Sequence, residues 1–470
     1  MSESTATQAL SAPSPSTFTG AIRIHLREPA RMRNLELVLL LVACAIDAGA
    51  IVLVQLGTGK GIDVGFLALT TPLTVLALVM HVVMRVTAKE ADPFILPIIT
   101  LLNGLGIAEI YRIDLGKNQI GWDSLGVKQI VWTAIAMALA IAVLIIVRNH
   151  RALLRYRYIW MLVGIVMLAL PALPGLGKTV NGAHVWVGIG GVFSFQPGEF
   201  AKVALAIFFA GYLVTTRESL QLIGPKIGPL RLPRPRDLGP IAAVFLLSVL
   251  VLVVQRDLGT SLLYFGLFLV MIYLATGRAS WIVIGLVPIA IGAVAAATLL
   301  PYVSARIDSW INAFSDSVYH RDPGGSFQIV QGLFGLANGG LIGTGLGEGQ
   351  PGIVPYARSD YIIASLGEEL GLIGLFAILG LYLLFVSRGF RIGFAAQDDF
   401  GRLLGAGLAF VIALQIFIVI GGVTRVIPLT GLTTPFLAAG GSSLVANWII
   451  AALLLRLSDT VRRSPGTVIE

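Results

Sequence analysis

Apolar residues in this chain come in long runs, at about 35–57, 66–86, 93–111, 125–147, 158–174, 197–215, 238–255, 258–276, 280–300, 360–386, 403–425 and 435–456. A helix needs roughly 20 apolar residues to cross the hydrocarbon of a bilayer. The pattern therefore predicts an all-α polytopic membrane protein with about twelve transmembrane helices. The tightest junction is Gln255–Gly259, where two runs almost touch. The run at 93–111 is interrupted by Asn103, Gly104 and Gly106 and carries Glu109 near one end. Small residues at such points let helices approach closely. No internal repeat of the kind that marks inverted-repeat transporters is visible.

Charge orients these spans. Placing the N-terminus inside puts 22 of the 33 basic residues in inner segments, among them Arg148, Arg151, Arg217, Arg388, Arg456 and Arg463. That bias follows the positive-inside rule and predicts that both termini are cytoplasmic. The outer face then carries two substantial loops, about 175–196 and 301–359. Residues 1–34 are Ser/Thr/Ala-rich and then basic, without the apolar core and cleavage site of a signal peptide. They read as a cytoplasmic tail.

Composition sharpens the class. The chain is 56% hydrophobic and 12% charged, with a mean hydropathy of +0.88. Soluble domains carry about 25% charged residues, so no sizeable soluble domain fits. The net charge of +8 is explained by orientation rather than by nucleic acid. Cys44 is the single cysteine, which excludes an internal disulfide, and the five histidines are scattered, so no metal cluster is legible.

Candidate chemistry sits where polar residues break the apolar pattern. At 196–202 the sequence QPGEFAK opens a run, and Gln196, Glu199 and Lys202 follow at three-residue spacing, near one helix face. They can form a local helix-end pair or a cation site for a phosphate held by Glu199. The hinge QRDLGTS at 255–261 brings Arg256 and Asp257 between two spans, as a solvated turn or a cavity wall. In the 301–359 loop, PYVSARI supplies Arg306, and Asp308, Trp310 and Asn312 suggest an amphipathic interfacial helix. The glycine run Gly339–Gly349 is read as flexible backbone lying on a ligand, since no βαβ unit surrounds it. Arg358-Ser359-Asp360 follows, with Ser359 as N-cap and Asp360 near the first turn of the next helix. Glu368 and Glu369 lie deeper and are candidates for internal pairing. Finally PLTGLTTPFLAAGGSS, 428–443, must line a cavity or be buried in protein.

Taken together, FQPGEFAK, QRDLGTS, PYVSARI, GGSFQIVQGLFGLANGGLIGTGLGEG, VPYARSDYIIASLGEELG and PLTGLTTPFLAAGGSS resemble the SEDS family, whose members include RodA, FtsW and SpoVE. The pieces occur in family order over about Asp92 to Leu457. The VPYARSDY form and an extra pair of N-terminal spans look more like the RodA-type members of actinobacteria. The chain then divides into a tail at 1–34, two extra helices at 35–91, a core at 92–457 and a tail at 458–470.

The resemblance implies a peptidoglycan glycosyltransferase of the cell membrane. It would polymerise lipid II at the outer face and work with a class B penicillin-binding protein. The family's essential aspartate maps onto Asp360, and its helix-start lysine, glutamine and glutamate onto Lys202, Gln196 and Glu199. Two departures stand out: His184 occupies a position where many members have arginine, and Gly352 stands where FtsW-type members have an acid. The expected chemistry has Asp360 as the base on an acceptor sugar hydroxyl. Lys202, with Arg256, Arg306 or Arg358, would stabilise the leaving pyrophosphate. A divalent cation, Mg or Mn, could share that task, although the sequence shows no closed metal cage. A lipid II flippase or polyprenyl-linked substrate transporter is the alternative; a scaffold recruiting the transpeptidase is a third reading.

Overall fold

The computed structural model describes residues 29–180, 183–189, 193–221, 226–227, 230–231, 239–322 and 324–463. Of the tails expected at 1–34 and 458–470, residues 1–28 and 464–470 lie outside the described residues, as do Arg234 and Arg236 of the inner segments; residues 29–34 and 458–463 belong to helices.

Every predicted apolar run is met by a helix. Ten helices are long and apolar enough to cross a membrane, among the described residues. In chain order they begin with α1 (Pro29–Gly57), α2 (Val64–Thr87), α3 (Ile95–Gly116) and α4 (Leu125–Ile146). A short α5 (Arg151–Arg155) leads into α6 (Arg157–Ala169), which is shorter than a full span. There follow α7 (Pro197–Gln221) and α8 (Gly239–Leu250), the latter continuing as a π-helical turn over Val251–Gln255. Next come α9 (Leu258–Thr276), α10 (Ser280–Leu299), α11 (Pro301–Ile311), α12 (Asp316–Tyr319) and α13 (Phe327–Gly339). The chain closes with α14 (Ile362–Phe394), α15 (Asp399–Val423) and α16 (Gly441–Arg463).

Side-chain caps set several helix starts. Asp63 accepts from the Gly65 amide at 2.8 Å and Asp398 from the Gly401 amide at 2.8 Å, satisfying donors that a helix N-terminus leaves open. The most enclosed spans are α3, α15 and α16, buried on nearly all sides and carrying inward polar side chains such as Asn103, Gln415 and Asn447. The peripheral α10 instead exposes Ile291, Val294 and Leu299, as expected where lipid replaces water as solvent. The first and last described helices end side by side. Arg462 at the end of α16 reaches Asp92 at 2.7 Å, and Arg33 near the start of α1 donates to the Ala91 carbonyl.

Both outer stretches are structured: 175–196 departs from the expectation of a loop, whereas in 301–359 α11 forms where an amphipathic helix was expected. The first folds as an antiparallel sheet of β1 (Gly177–Val180), β2 (Ala183–Ile189) and β3 (Phe193–Phe195) in sequential order. A further two-stranded ribbon pairs β4 (Lys226–Ile227) with β5 (Leu230–Arg231). The second stretch is largely helical, through α11, α12 and α13.

The glycine run, read from the sequence as backbone lying on a ligand, packs against another part of the chain. It packs on α14, which is broken at Gly371 (φ 67°, ψ −173°). The break leaves carbonyls without helical donors, and loop amides supply them: Thr344 donates to the Glu368 carbonyl and Gly345 to that of Glu369, both at 3.0 Å. In return the Leu372 amide donates to the Gly340 carbonyl at 2.9 Å. Backbones approach so closely that a Cβ on Gly371 would overlap the Ile342–Gly343 peptide. Gly371→Ala therefore combines an essentially glycine-only backbone conformation, which costs other residues about 1–3 kcal/mol, with a backbone clash. It is expected to lower the melting temperature of the purified protein clearly. Gly352→Ala, with open space around the added methyl, should leave it unchanged. Equal melting temperatures for the two variants would contradict this packing.

Candidate active site

The segment before α14 does not start the helix where the sequence suggests. Ser359 does not cap it: the Ser359 hydroxyl donates to the Tyr356 carbonyl at 3.3 Å, and α14 begins at Ile362. Tyr356 in the left-handed region (φ 57°) turns the chain there. Asp360 consequently sits on an extra turn before the helix, beside a cavity rather than in the helix's first turn.

That cavity, of about 520 Å³, gathers Asp360, Arg256, Arg306, Tyr302, Gln328 and Gly431 from five separate parts of the chain. Arg306 comes from α11, an amphipathic helix started by Pro301 at its first position. Its guanidinium donates to the Thr430 carbonyl at 3.2 Å, which anchors it to the broken segment before α16. Arg256 is held in the left-handed region (φ 57°) between the π-helical turn and α9, over the ring of Tyr302 at 5.9 Å. Asp257, next to it, is spent on capping α9: it accepts from the Thr260 amide at 2.9 Å and from the Thr260 hydroxyl at 2.5 Å. Gly431 (φ 80°) passes close to Asp360, a Cβ there lying 3.7 Å from the carboxylate. Burial pushes the Asp360 carboxyl up to about 7; Arg306 and a hydrogen bond from Ser359 pull against that rise, and Asp257 adds to it.

Arg358 faces a neighbouring cavity of about 680 Å³ that shares Tyr356 as a wall. Lys117, Lys128 and Gln129 line it too. Arg358 also pairs with buried Asp114 at 3.0 Å. Two basic cavities thus flank the 356–360 turn.

Lys202 lies elsewhere. It is 1% exposed, donates to Gln415 Oε1 and Asn447 Oδ1 at 2.9 Å each, and pairs with Glu199 at 2.5 Å. Two of the ammonium's three donors go to Gln415 and Asn447, and Glu199 meets it as an ion pair. Gln415 donates onward to the Thr433 carbonyl at 2.8 Å, and Thr433 to Ser443 at 2.9 Å. Gln196 joins through its backbone amide, which donates to Ser442 at 2.9 Å. The Gln196, Glu199 and Lys202 series therefore ties α7 to α15, α16 and the 430–443 segment, and none of the three lines the Asp360 cavity. Spacing could place them on one helix face. It could not reveal Gln415 and Asn447, more than two hundred residues away.

The deeper acids pair internally. Glu369 binds Arg112 at 2.9 Å, and Glu368 accepts from Asn338 and from the Gln350 amide at 3.0 Å each. His184 meets Thr179 across the β1–β2 pair at 2.9 Å. Among the described residues no group of three or more His, Cys, Asp or Glu side chains could hold a metal ion.

Comparison with known proteins adds a family. Residues 93–463 match the family model for FtsW, RodA and SpoVE, described as cell cycle protein. The chain is 46% identical over 434 residues to the peptidoglycan glycosyltransferase RodA of Mycobacterium tuberculosis, covering 92% of this chain and 91% of that protein. It is 36% identical over 301 residues to stage V sporulation protein E of Bacillus subtilis, covering 63% and 77%. Among solved structures, a chain of a peptidoglycan synthase complex superposes with a TM-score of 0.61 at 22% identity, over 79% of this chain and 98% of that one. The rod shape determining protein RodA of Thermus thermophilus gives a TM-score of 0.53 at 22% identity, over 78% and 96%.

Proposed function

This chain belongs to the FtsW/RodA/SpoVE family and is a multi-pass membrane peptidoglycan glycosyltransferase, and we propose that it polymerises lipid II at the outer face of the cytoplasmic membrane, with Asp360 as the base. The observation that carries the assignment is the cavity itself. It sets one carboxyl with a pKa raised to about 7 among two arginines, Arg256 and Arg306, at one end of the helix bundle. A group that titrates near the working pH can both hold and release a proton.

In the proposed step the Asp360 carboxylate takes the proton of the acceptor sugar's 4-hydroxyl. The freed oxygen pair forms the bond to the donor's anomeric carbon, and the bond from that carbon to the diphosphate oxygen breaks. The leaving diphosphate keeps that electron pair, and Arg306 and Arg256 stabilise the charge it gains. Arg358, with Lys117 and Lys128 in the neighbouring cavity, is suited to the second lipid-linked substrate. The polyprenyl tail would run along α10, whose exposed apolar side chains end at Leu299, beside the cavity wall at Pro301.

Lys202 departs from the expected role. We assign it to holding three helices together rather than to the diphosphate, because it is buried against Gln415 and Asn447 and lines neither cavity. A magnesium or manganese ion would find a single carboxylate, Asp360, among the side chains lining this cavity. Proteins commonly hold such an ion through one or two carboxylates together with substrate phosphates, so Asp360 would be its protein ligand when the diphosphate is bound, and the ion would add positive charge beside the leaving group. A class B penicillin-binding protein is the proposed crosslinking partner. The end of the bundle where α1 starts and α16 finishes is proposed to be cytoplasmic, since the basic inner segments gather there. A transporter would need its site near the midplane; a cavity at the start of α14 favours the transferase.

Incubation of the purified protein and its partner with labelled lipid II, reading glycan chains on a gel, tests the whole reading. Movement of lipid II across vesicles without polymer would replace it with the transporter. The pH profile tests the base. Only the ionised carboxylate accepts a proton, so the rate should fall about tenfold per pH unit below 7 and level off above it. A rate that stays flat from pH 5.5 to 8 would count against Asp360. Arg306→Ala should lower kcat by one to two orders of magnitude while the protein stays folded, because the side chain is only half-buried. An unchanged kcat would remove Arg306 from the diphosphate's surroundings.

A further inference from the structure

At the opposite end of α4, α14 and α16 from Asp360, a polar cavity of about 670 Å³ opens beneath the α4–α5 and α14–α15 connections. Its charged lining is Arg148, Arg151, Arg456 and Arg463 against Asp398 and Asp459, a net of two positive charges apart from His150. The floor is rigid. Arg456 donates to the Val147 carbonyl at 2.7 Å and to the Thr87 carbonyl at 2.8 Å, which ties the ends of α2 and α4 to α16.

Both carboxylates are already engaged. Asp459 is shared by Arg456 at 3.1 Å and Arg463 at 3.0 Å, and Asp398 caps α15 while meeting His150 at 2.8 Å. The rim is different. Arg148 is exposed and its guanidinium has no hydrogen-bond or ion-pair partner among the described residues. Arg151 is 60% exposed and reaches Asp398 only at 3.3 Å. The remaining wall is apolar: Val86 and Ile145 are 71% and 49% exposed, on faces of α2 and α4 that continue into Val82 and Ile146.

Excess positive charge at the head of an apolar wall fits an amphiphile with an anionic head. We propose that this cavity binds the phosphate of an anionic phospholipid, with Arg148 and Arg151 on the rim as its cations and the acyl chains along α2 and α4. Basic pockets between helices at a membrane's inner face are suited to such headgroups. A soluble phosphate would gain nothing from Val86 and Ile145. The site touches none of the residues assigned to glycosyl transfer, so it stands apart from that reading.

The test uses the full chain purified in a neutral detergent, with its melting temperature followed as dioctanoyl phosphatidylglycerol is added. Saturable stabilisation is expected. Dioctanoyl phosphatidylcholine and inorganic phosphate at the same concentrations should give none. Arg148→Ala/Arg151→Ala should weaken the apparent affinity about thirtyfold, the change expected for two surface cations near anionic lipid. Arg148→Lys/Arg151→Lys should stay within a few-fold of wild type. Arg148→Glu, at an exposed position with no partner to lose, should weaken binding at least as much as Arg148→Ala. The proposal is overturned if the double alanine variant responds like wild type. It is overturned equally if phosphatidylcholine or inorganic phosphate reproduces the shift.

Discussion

Asp360→Asn is expected to reduce glycan polymerisation by two to four orders of magnitude, the range over which positioned proton transfer typically contributes. The amide keeps the shape of the side chain, and its neighbours Ser359 and Gly431 impose no new clash. Melting temperature should therefore hold while product disappears. The readout is chain length and amount from labelled lipid II at saturating substrate, where kcat reports the chemical step. Polymer made at the wild-type rate would show that the acceptor hydroxyl loses its proton elsewhere. A loss seen only as a raised KM would turn Asp360 into a binding group.

The second large effect concerns Lys202→Met, and its direction separates two roles. Removing the ammonium leaves Glu199, 6% exposed, without its partner ion. Breaking one half of a buried pair typically costs about 3–5 kcal/mol, and Gln415 and Asn447 lose a shared donor as well. The melting temperature should fall steeply. Glu199→Gln/Lys202→Met removes both charges and should recover much of the loss, since an uncharged buried pair carries no unpaired ion. A diphosphate-binding lysine would behave differently: activity would vanish while the single and double variants melted like wild type.

These expectations draw unequally on sequence and structure. The spans were legible because a membrane imposes a local rule, an apolar stretch of fixed length, and each run met a helix. The motifs around Asp360 carried the family because they recur in fixed order. Other features were visible yet undervalued. The alternation His184-Val185-Trp186-Val187 and the Asn181-Gly182 pair are hairpin signals; the expectation of a plain loop passed over the sheet that pairs Lys178 with Trp186.

Alone, the sequence determined the helical membrane class, the nearness of Asp360 to the start of a long span and the polar breaks that hold the candidate chemistry. Periodicity and spacing are local, and those properties are local too. Only the tertiary structure decided that Arg306 stands beside Asp360, that Lys202 spends its protons on Gln415 and Asn447, and that the glycine run mends the break at Gly371. Each of these depends on which distant segment arrives next to a side chain, and buried donors bond whatever acceptor packing brings within reach.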